Sequence, residues 1–313
     1  MTNKSLAIAC ASGSFKGAFA HGILSALEAN GIFANAYAAA SSSVIPSAWA
    51  VLKKASELGV DYWLAGLQAL GQPDMGISQV VKGGITNFSP PKEELFAPER
   101  PAYFIATSAV ITPEAAKETQ GEKFRRLGRR LLLSAAKKDR SWVDENLQMK
   151  MFSNKSENIL LQLENLGRET IHNCERDVRY TSKLDTNNFE EVAYATSRML
   201  HDWDIPAWID GKPYVDASYT CLCPAIEMVE AGYQKVIAIA NESGTLYRDM
   251  FQLEEIPGNY RGVDIHIIKP DVDPKEFGVD FTNATPEGLS ALYKHGQEIC
   301  ERILAEDINL TAI

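Results

Sequence analysis

Three short segments hold residue types that could do chemistry together. The first is Ser12-Gly13-Ser14-Phe15-Lys16-Gly17. Small residues ahead of a helix leave backbone N–H groups free at its N-terminus, where they bind phosphate or hold an oxyanion. The second is Ala38-Ala39-Ala40-Ser41-Ser42-Ser43-Val44-Ile45-Pro46. A serine nucleophile needs a sharp strand-to-helix turn that exposes its hydroxyl, and that turn tolerates only small residues two places before and after. Centred on Ser41 these are Ala39 and Ser43, whereas centred on Ser42 they are Ala40 and the β-branched Val44. Ser41 is preferred on that count. The third segment is Tyr214-Val215-Asp216-Ala217-Ser218, a strand-like run that ends in an acid followed by small residues. A serine hydroxyl is a weak nucleophile without a base in hydrogen-bond reach, and Asp216 is that base if the fold brings it beside Ser41. Taken singly, each segment also has an ordinary structural use: a plain strand-to-helix turn, helix-capping serines, and a turn aspartate at a strand end.

The elements that must position these segments alternate. Leu6–Ala11 reads as a buried strand. Gly17–Asn30 reads as a helix, with Phe19, Ile23 and Leu27 four apart and Gly31 placed to stop it. Phe33–Ala40 reads as a second strand, and Ile45–Leu58 as a helix with Pro46 in its first turn and Gly59 beyond its end. Tyr103–Ile111 is a further strand. The last third resumes the pattern, with a helix at Pro224–Ala231, strands at Lys235–Ala240 and Val263–Lys269, and a long amphipathic helix at Pro286–Ala305. This order implies an α/β fold, a three-layer α/β/α sandwich with a mostly parallel central sheet. The whole chain, 1–313, is read as one such domain.

The middle, 112–190, is polar and poorly periodic, and reads as a helical insertion or cap. Within 123–140 it carries eight basic residues (Lys123, Arg125, Arg126, Arg129, Arg130, Lys137, Lys138, Arg140) against the single acid Asp139, a net charge of +7. Phe124, Leu127 and Leu131 share one helical face, with Trp142 beyond. Two uses of this segment stay open: a solvated face of a cap helix, or a surface for anionic lipid head groups or an acidic acyl carrier.

Composition bounds the rest. The chain has 313 residues, 31 Lys plus Arg and 41 Asp plus Glu, for a formal net charge of −10. With 45% hydrophobic and 23% charged residues it is not a disordered chain, a collagen or a disulfide scaffold. An acidic chain lacks the basic surface of a general nucleic-acid binder. The five cysteines, Cys10, Cys174, Cys221, Cys223 and Cys300, are odd in number and sparse, which reads as free thiols in a reducing cytoplasm. The opening MTNKSLAIACAS has too short an apolar run for a signal peptide, and no stretch approaches the length of a membrane span. The histidines His21, His172, His201, His266 and His295 are scattered, and His21 is expected on or near the surface of the first helix. Asp202, Asp204 and Asp210 lack the glycine and terminal glutamate of a calcium loop.

Together and in this order, the three segments resemble the patatin-like phospholipase family. The family's G-G-G-x-[KR]-G turn falls on Ser12–Gly17, its G-x-S-x-G elbow on Ala39-Ala40-Ser41-Ser42-Ser43, and its D-G-[GA] motif on Asp216-Ala217-Ser218. Ala18–Leu24 with Leu27-Glu28 looks like the family's first helix. The approach to the acid is similar in detail, from Ala195-Thr196-Ser197 through Ile205-Pro206 to Asp210-Gly211-Lys212-Pro213-Tyr214-Val215. So are Pro224 and the strand Lys235-Val236-Ile237-Ala238.

The resemblance implies a Ser–Asp dyad hydrolase of lipid or related acyl esters. Ser41 would attack the carbonyl and Asp216 would take its proton. Amides of Gly13 and Ser14, with Ser12 beside them, would hold the oxyanion. Lys16, Gly17, Ala39, Ser43, Ala217 and Ser218 would support the motifs. The dyad needs no metal and no cofactor, and contact with a membrane surface would run through 123–140. The departures share one direction. Ser12, Ser14, Ala39, Ser43, Ala217 and Ser218 stand where the family has glycine, and Leu222 where it often has asparagine. A serine can still donate its amide but resists positive φ, and loss of one oxyanion donor costs ~10²–10³ in rate. Two alternatives therefore accompany the hydrolase: a weak or silent lipid- or acyl-binding protein on the same fold, and an acyltransferase that passes the acyl group from Ser41 to an acceptor other than water.

Overall fold

The strands Leu6–Cys10 (β1) and Ala36–Ala40 (β2) are buried along their whole length, as expected of parallel strands covered on both faces. A computed structural model describes residues 6–155 and 179–306. Between them runs α1 (Gly17–Ala29), and after β2 come α2 (Val44–Val51), α3 (Ala55–Leu58), α4 (Asp61–Leu70), α5 (Ile77–Phe88) and α6 (Lys92–Leu95). Then follow β3 (Ala102–Val110), α7 (Pro113–Gln120), α8 (Phe124–Ala136), α9 (Ser141–Asn146), β4 (Leu147–Ser153) and β5 (Arg179–Lys183). The remainder is α10 (Phe189–Thr196), β6 (Ala207–Ile209), β7 (Lys212–Val215), α11 (Ala225–Glu230), β8 (Lys235–Ile239), β9 (Asn259–Tyr260), β10 (Val263–Ile268) and α12 (Pro286–Glu306).

The main sheet has the order β5-β4-β3-β2-β1-β8-β10-β9, and the short hairpin β6–β7 joins it through β3. The pairs β3–β2, β2–β1, β1–β8, β8–β10 and β4–β5 are parallel. Alternate residues feed two cores. Leu6, Ile8, Tyr37, Tyr103 and Ile105 belong to one face, and Ala7, Ala9, Ala38, Phe104 and Ala106 to the other, where α11 packs. The fold is the α/β sandwich with a mostly parallel sheet that the alternation implied.

Three expectations change. First, 112–190 is not a purely helical cap. Its helices α7, α8 and α9 lead into β4, which pairs antiparallel with β3 over seven residues, and β5 extends the sheet beyond it. Leu147-Gln-Met-Lys-Met reads as helix by propensity, but seven paired positions against β3 outweigh a few tenths of a kcal/mol per residue. Residues 156–178 of that segment, with His172 and Cys174, lie outside the described residues. Second, the helix expected over Ile45–Leu58 breaks after Val51, where Lys53 takes a left-handed φ of 61°. The Glu28 carboxylate opens the next turn by accepting from the Ala55 N–H at 2.6 Å and the Ser56 hydroxyl at 2.5 Å. Third, His21 is fully buried, because α12 lies across α1 on one side and α2 and α3 on others. Its ring is committed: one nitrogen bonds the Ala55 carbonyl at 2.8 Å and the other accepts from the Trp63 indole at 3.1 Å. Burial lowers its pKa to about 4, so it stays neutral.

The α1–α12 crossing rests on two glycines. A Cβ on Gly22 would collide with the Tyr293 carbonyl, and one on Gly296 with the Phe19 carbonyl. The neighbouring Tyr293 hydroxyl meets Ser25 at 2.8 Å. Replacing Gly296 with alanine forces two backbones apart, and should cost about 3 kcal/mol of unfolding free energy in a denaturant titration. A loss near zero would show that the helices separate freely.

Candidate active site

Ser41 and Asp216 reach each other because two strands end at the same place on β3. β2 runs parallel to β3, with Ala40 opposite Ala106. β7 runs antiparallel to β3, with Val215 opposite Ser108. The residue after each strand therefore arrives at Thr107 from opposite directions. There the Ser41 hydroxyl donates to Asp216 Oδ2 at 2.9 Å. Ser42, one place on, has a buried hydroxyl with no hydrogen-bond partner among the described residues.

Ser41 adopts φ 53°, the left-handed region, at the turn from β2 into the 3-10 turn Ser41–Ser43. An L-residue there costs roughly 1–2 kcal/mol, so the surroundings must hold it. The Ser41 N–H donates to Thr196 Oγ1 at 2.9 Å, and the Thr196 hydroxyl donates to the Ala106 carbonyl at 2.6 Å. The Ser43 hydroxyl donates to the Ala11 carbonyl at 2.6 Å and ties the elbow to the end of β1. Ala39 is fully buried, within β2.

Asp216 is fully buried. Its N–H donates to the Arg198 carbonyl at 2.9 Å, and its own carbonyl accepts the Ser108 hydroxyl at 2.7 Å. Its Oδ1 accepts from the Ser218 N–H at 2.7 Å, inside the 3-10 turn Ala217–Tyr219. Burial pushes the carboxyl up to about 6, and the hydrogen bonds from Ser218 and Ser41 only partly oppose this. The group is thus a carboxylate at neutral pH with raised basicity, poised to take a proton.

The turn after β1 divides its three expected donors. The Ser12 N–H is already bonded to the Leu222 carbonyl at 2.8 Å, so it does not serve an oxyanion. The chain at Ser12 still runs alongside residue 222, which uses up its amide. The Gly13 and Ser14 N–H groups have no protein acceptor among the described residues. Asn241, a residue the motifs did not single out, pins this turn. Its amide donates to the Ala11 carbonyl at 2.7 Å and the Ser12 carbonyl at 3.3 Å, and its oxygen accepts from the Ala20 N–H at 3.2 Å. A side chain at Gly13 would run into Asn241, and one at Gly17 into Trp63 and Ser42. Lys16 is 8% exposed and ties the turn to two loops through Glu242 at 3.0 Å and Asp280 at 3.5 Å. Of Ser12, Ser14, Ala39, Ser43, Ala217 and Ser218, only Ser14 has a positive φ, 50°. The other five lie outside the left-handed region, so a side chain there carries no left-handed strain.

An open pocket enclosing about 860 Å³, open solvent included, lies beside the dyad. Ser12, Ser14, Ser41 and Ser42 line it on one side. Its remaining walls are largely apolar, with Trp63 and Leu70 from α4 and Val80, Val81 and Ile85 from α5. The cover that 112–190 was expected to supply thus comes largely from 61–88, whose apolar residues carried the signal. Arg198 is also missed by the motifs. It is fully buried, with its guanidinium on the Ile205 and Thr119 carbonyls at 2.6 and 2.9 Å. Asp202, Asp204 and Asp210 take no part in the dyad. Cys10, Cys221, Cys223 and Cys300 are buried and form no disulfide among the described residues, and burial pushes Cys10 and Cys300 up to about 12, so those two thiols are inert. Among the described residues no helix is long and apolar enough to cross a membrane. No protein-family model matches the chain, and no curated protein matches it.

Two stability measurements test this geometry. Because folding raises the Asp216 pKa, the group's contribution is fully present below about pH 4 and lost as pH rises through about 6. Asp216→Asn should remove that decline and leave the variant roughly 3 kcal/mol more stable relative to wild type at pH 8 than at pH 4. An equal pH dependence in both proteins would mean that Asp216 is not desolvated. At the elbow, Ser41→Gly should exceed Ser41→Ala in stability by ~1 kcal/mol, through relief of the left-handed φ.

Proposed function

We propose that this protein is a serine acyl-ester hydrolase of the patatin-like type that acts on lipid or related acyl esters. The reading rests on one observation: a serine at a strained strand-to-helix turn, 2.9 Å from a buried carboxylate, beside an apolar cavity. The Ser41 oxygen attacks the ester carbonyl as Asp216 Oδ2 accepts its proton. Charge on the carbonyl oxygen is received by the amides of Gly13 and Ser14, in the turn after β1 that carries Ser14 into the pocket lining. Collapse expels the alcohol with the proton returned from Asp216, leaving an acyl group on Ser41. Water, deprotonated by the same carboxylate, releases the acid. The apolar walls from α4 and α5 suit an acyl chain, which would fill space that water wets poorly. Both ring nitrogens of His21 are occupied by Ala55 and Trp63, so that histidine is not the base.

A fluorophosphonate probe should modify Ser41 alone, by peptide mapping, and Asp216→Ala should abolish the adduct while Ser42→Ala keeps it. An adduct on Ser42, or none where a control hydrolase is labelled, would reject the dyad. Hydrolysis of a nitrophenyl acyl ester should rise with pH through a midpoint near 6, because the base works only when ionised and burial raises its pKa. A rate that falls across that range would assign the proton transfer to another group.

A further inference from the structure

We infer that α8 is a docking element for an anionic lipid surface. The helix carries opposite demands on its two sides. Phe124, Leu127, Gly128 and Leu131 are buried against the body of the protein. At Gly128 the contact is backbone to backbone, since a Cβ would collide with the chain at Leu200 and His201. The helix is therefore fixed by its inner face and is not a loose flap. At 100° per residue, Leu133 falls opposite that face, between Arg125 and Arg129 on one side and Arg126, Arg130 and Lys137 on the other. Its side chain is 66% exposed, and the adjacent Leu132 is 38% exposed. An exposed leucine ringed by cations is what an interfacial helix presents to a membrane: a peg for the acyl boundary and charges for the head groups.

Charge supports the choice of partner. The segment 123–140 is net +7 in a chain of net −10. Arg130 is paired with Glu118 at 3.5 Å, and Arg140 with Asp144 and Asp249. Lys123, Arg125, Arg126, Arg129, Lys137 and Lys138 make no ion pair among the described residues. An acidic protein surface would satisfy the cations, but it gives no reason for an uncovered leucine projecting at the centre of them.

The position of the helix adds a reason. Leu132 lines a second cavity, of about 1040 Å³, together with Ser12, Gly13, Met199 and Phe281. Ser12, Met199 and Phe281 also line the cavity beside Ser41. Seating α8 on lipid thus brings the rim of the second cavity to the bilayer surface, one wall away from the dyad. Docking itself does not depend on the hydrolase reading, and it is measured in protein that cannot turn over.

The test uses the full chain with Ser41→Ala, sedimented with sucrose-loaded vesicles of phosphatidylcholine alone or mixed two to one with phosphatidylglycerol. The protein should pellet with the mixed vesicles only, and less at higher salt. Arg126→Gln and Arg129→Gln should each weaken binding about fivefold. Leu133→Asp should weaken it roughly tenfold, whereas Leu133→Phe should hold or strengthen it. All three positions face solvent, and thermal melts confirm that each variant is folded. Two results would overturn the inference. One is no pelleting with mixed vesicles at low salt. The other is binding lost with the arginines but untouched by Leu133→Asp, which would mark a simple polyanion contact such as an acidic carrier protein.

Discussion

The site depends on two strands that share one edge of β3. β2 occupies it up to Ala106 and β7 takes it over at Ser108, so the edge is passed from one strand to the other across a single residue. Side chains along a strand alternate between faces, and a slip of β7 by one residue would send Asp216 to the opposite face from Ser41. Only two residue pairs hold β7 to β3, and hydrogen bonds outside the ladder reinforce them. Ser108 bonds the Asp216 carbonyl, Arg198 receives its N–H, and the Gln120 amide donates to the Tyr214 carbonyl. Arg198 itself is held by carbonyls of two other segments, so the acid's backbone is anchored in the interior rather than on a loop.

This anchoring works against the local energetics. A carboxylate without water is costly, and so is a serine in the left-handed region. Neither would persist on a loose scaffold. Two continuous cores, one on each face of the sheet, make the alternatives costlier still. The alanines matter here: β1 and β2 present Ala7, Ala9, Ala36, Ala38 and Ala40 on one face, which lets α11 lie close to the sheet. The result is a polarised hydroxyl beside a largely apolar cavity whose walls are other elements' side chains.

The glycine-poor motifs resolve by position. Serine or alanine at five of the six sites meets a backbone that any residue adopts, and only Ser14 takes on a strained angle. Where the turn cannot accept a side chain, at Gly13 and Gly17, glycine is present. Close approach, rather than left-handed backbone, is therefore what limits this turn, with Asn241 as the body that would be struck.

Periodicity and spacing were enough to read the alternation of strands and helices, the small residues around Ser41, the strand that delivers Asp216, and the apolar face of α8. Each of these is a local property, set by side-chain period or by the space a turn allows. Four things were beyond that reach. β4 carries helix-favouring residues and became a strand through pairing with β3. His21 sits on a helix that is covered on several sides, which no single-helix pattern reveals. Arg198 and Asn241 act through carbonyls and amides of distant segments, with no mark in their own neighbourhoods. The amide of Ser12 was spent on Leu222, a contact 210 residues away in the chain. What the sequence determined by itself was which side chains are present and in what local conformation. Which of them meet was decided by strand register and helix crossing, because those contacts depend on the chain's global path and are absent from any local window.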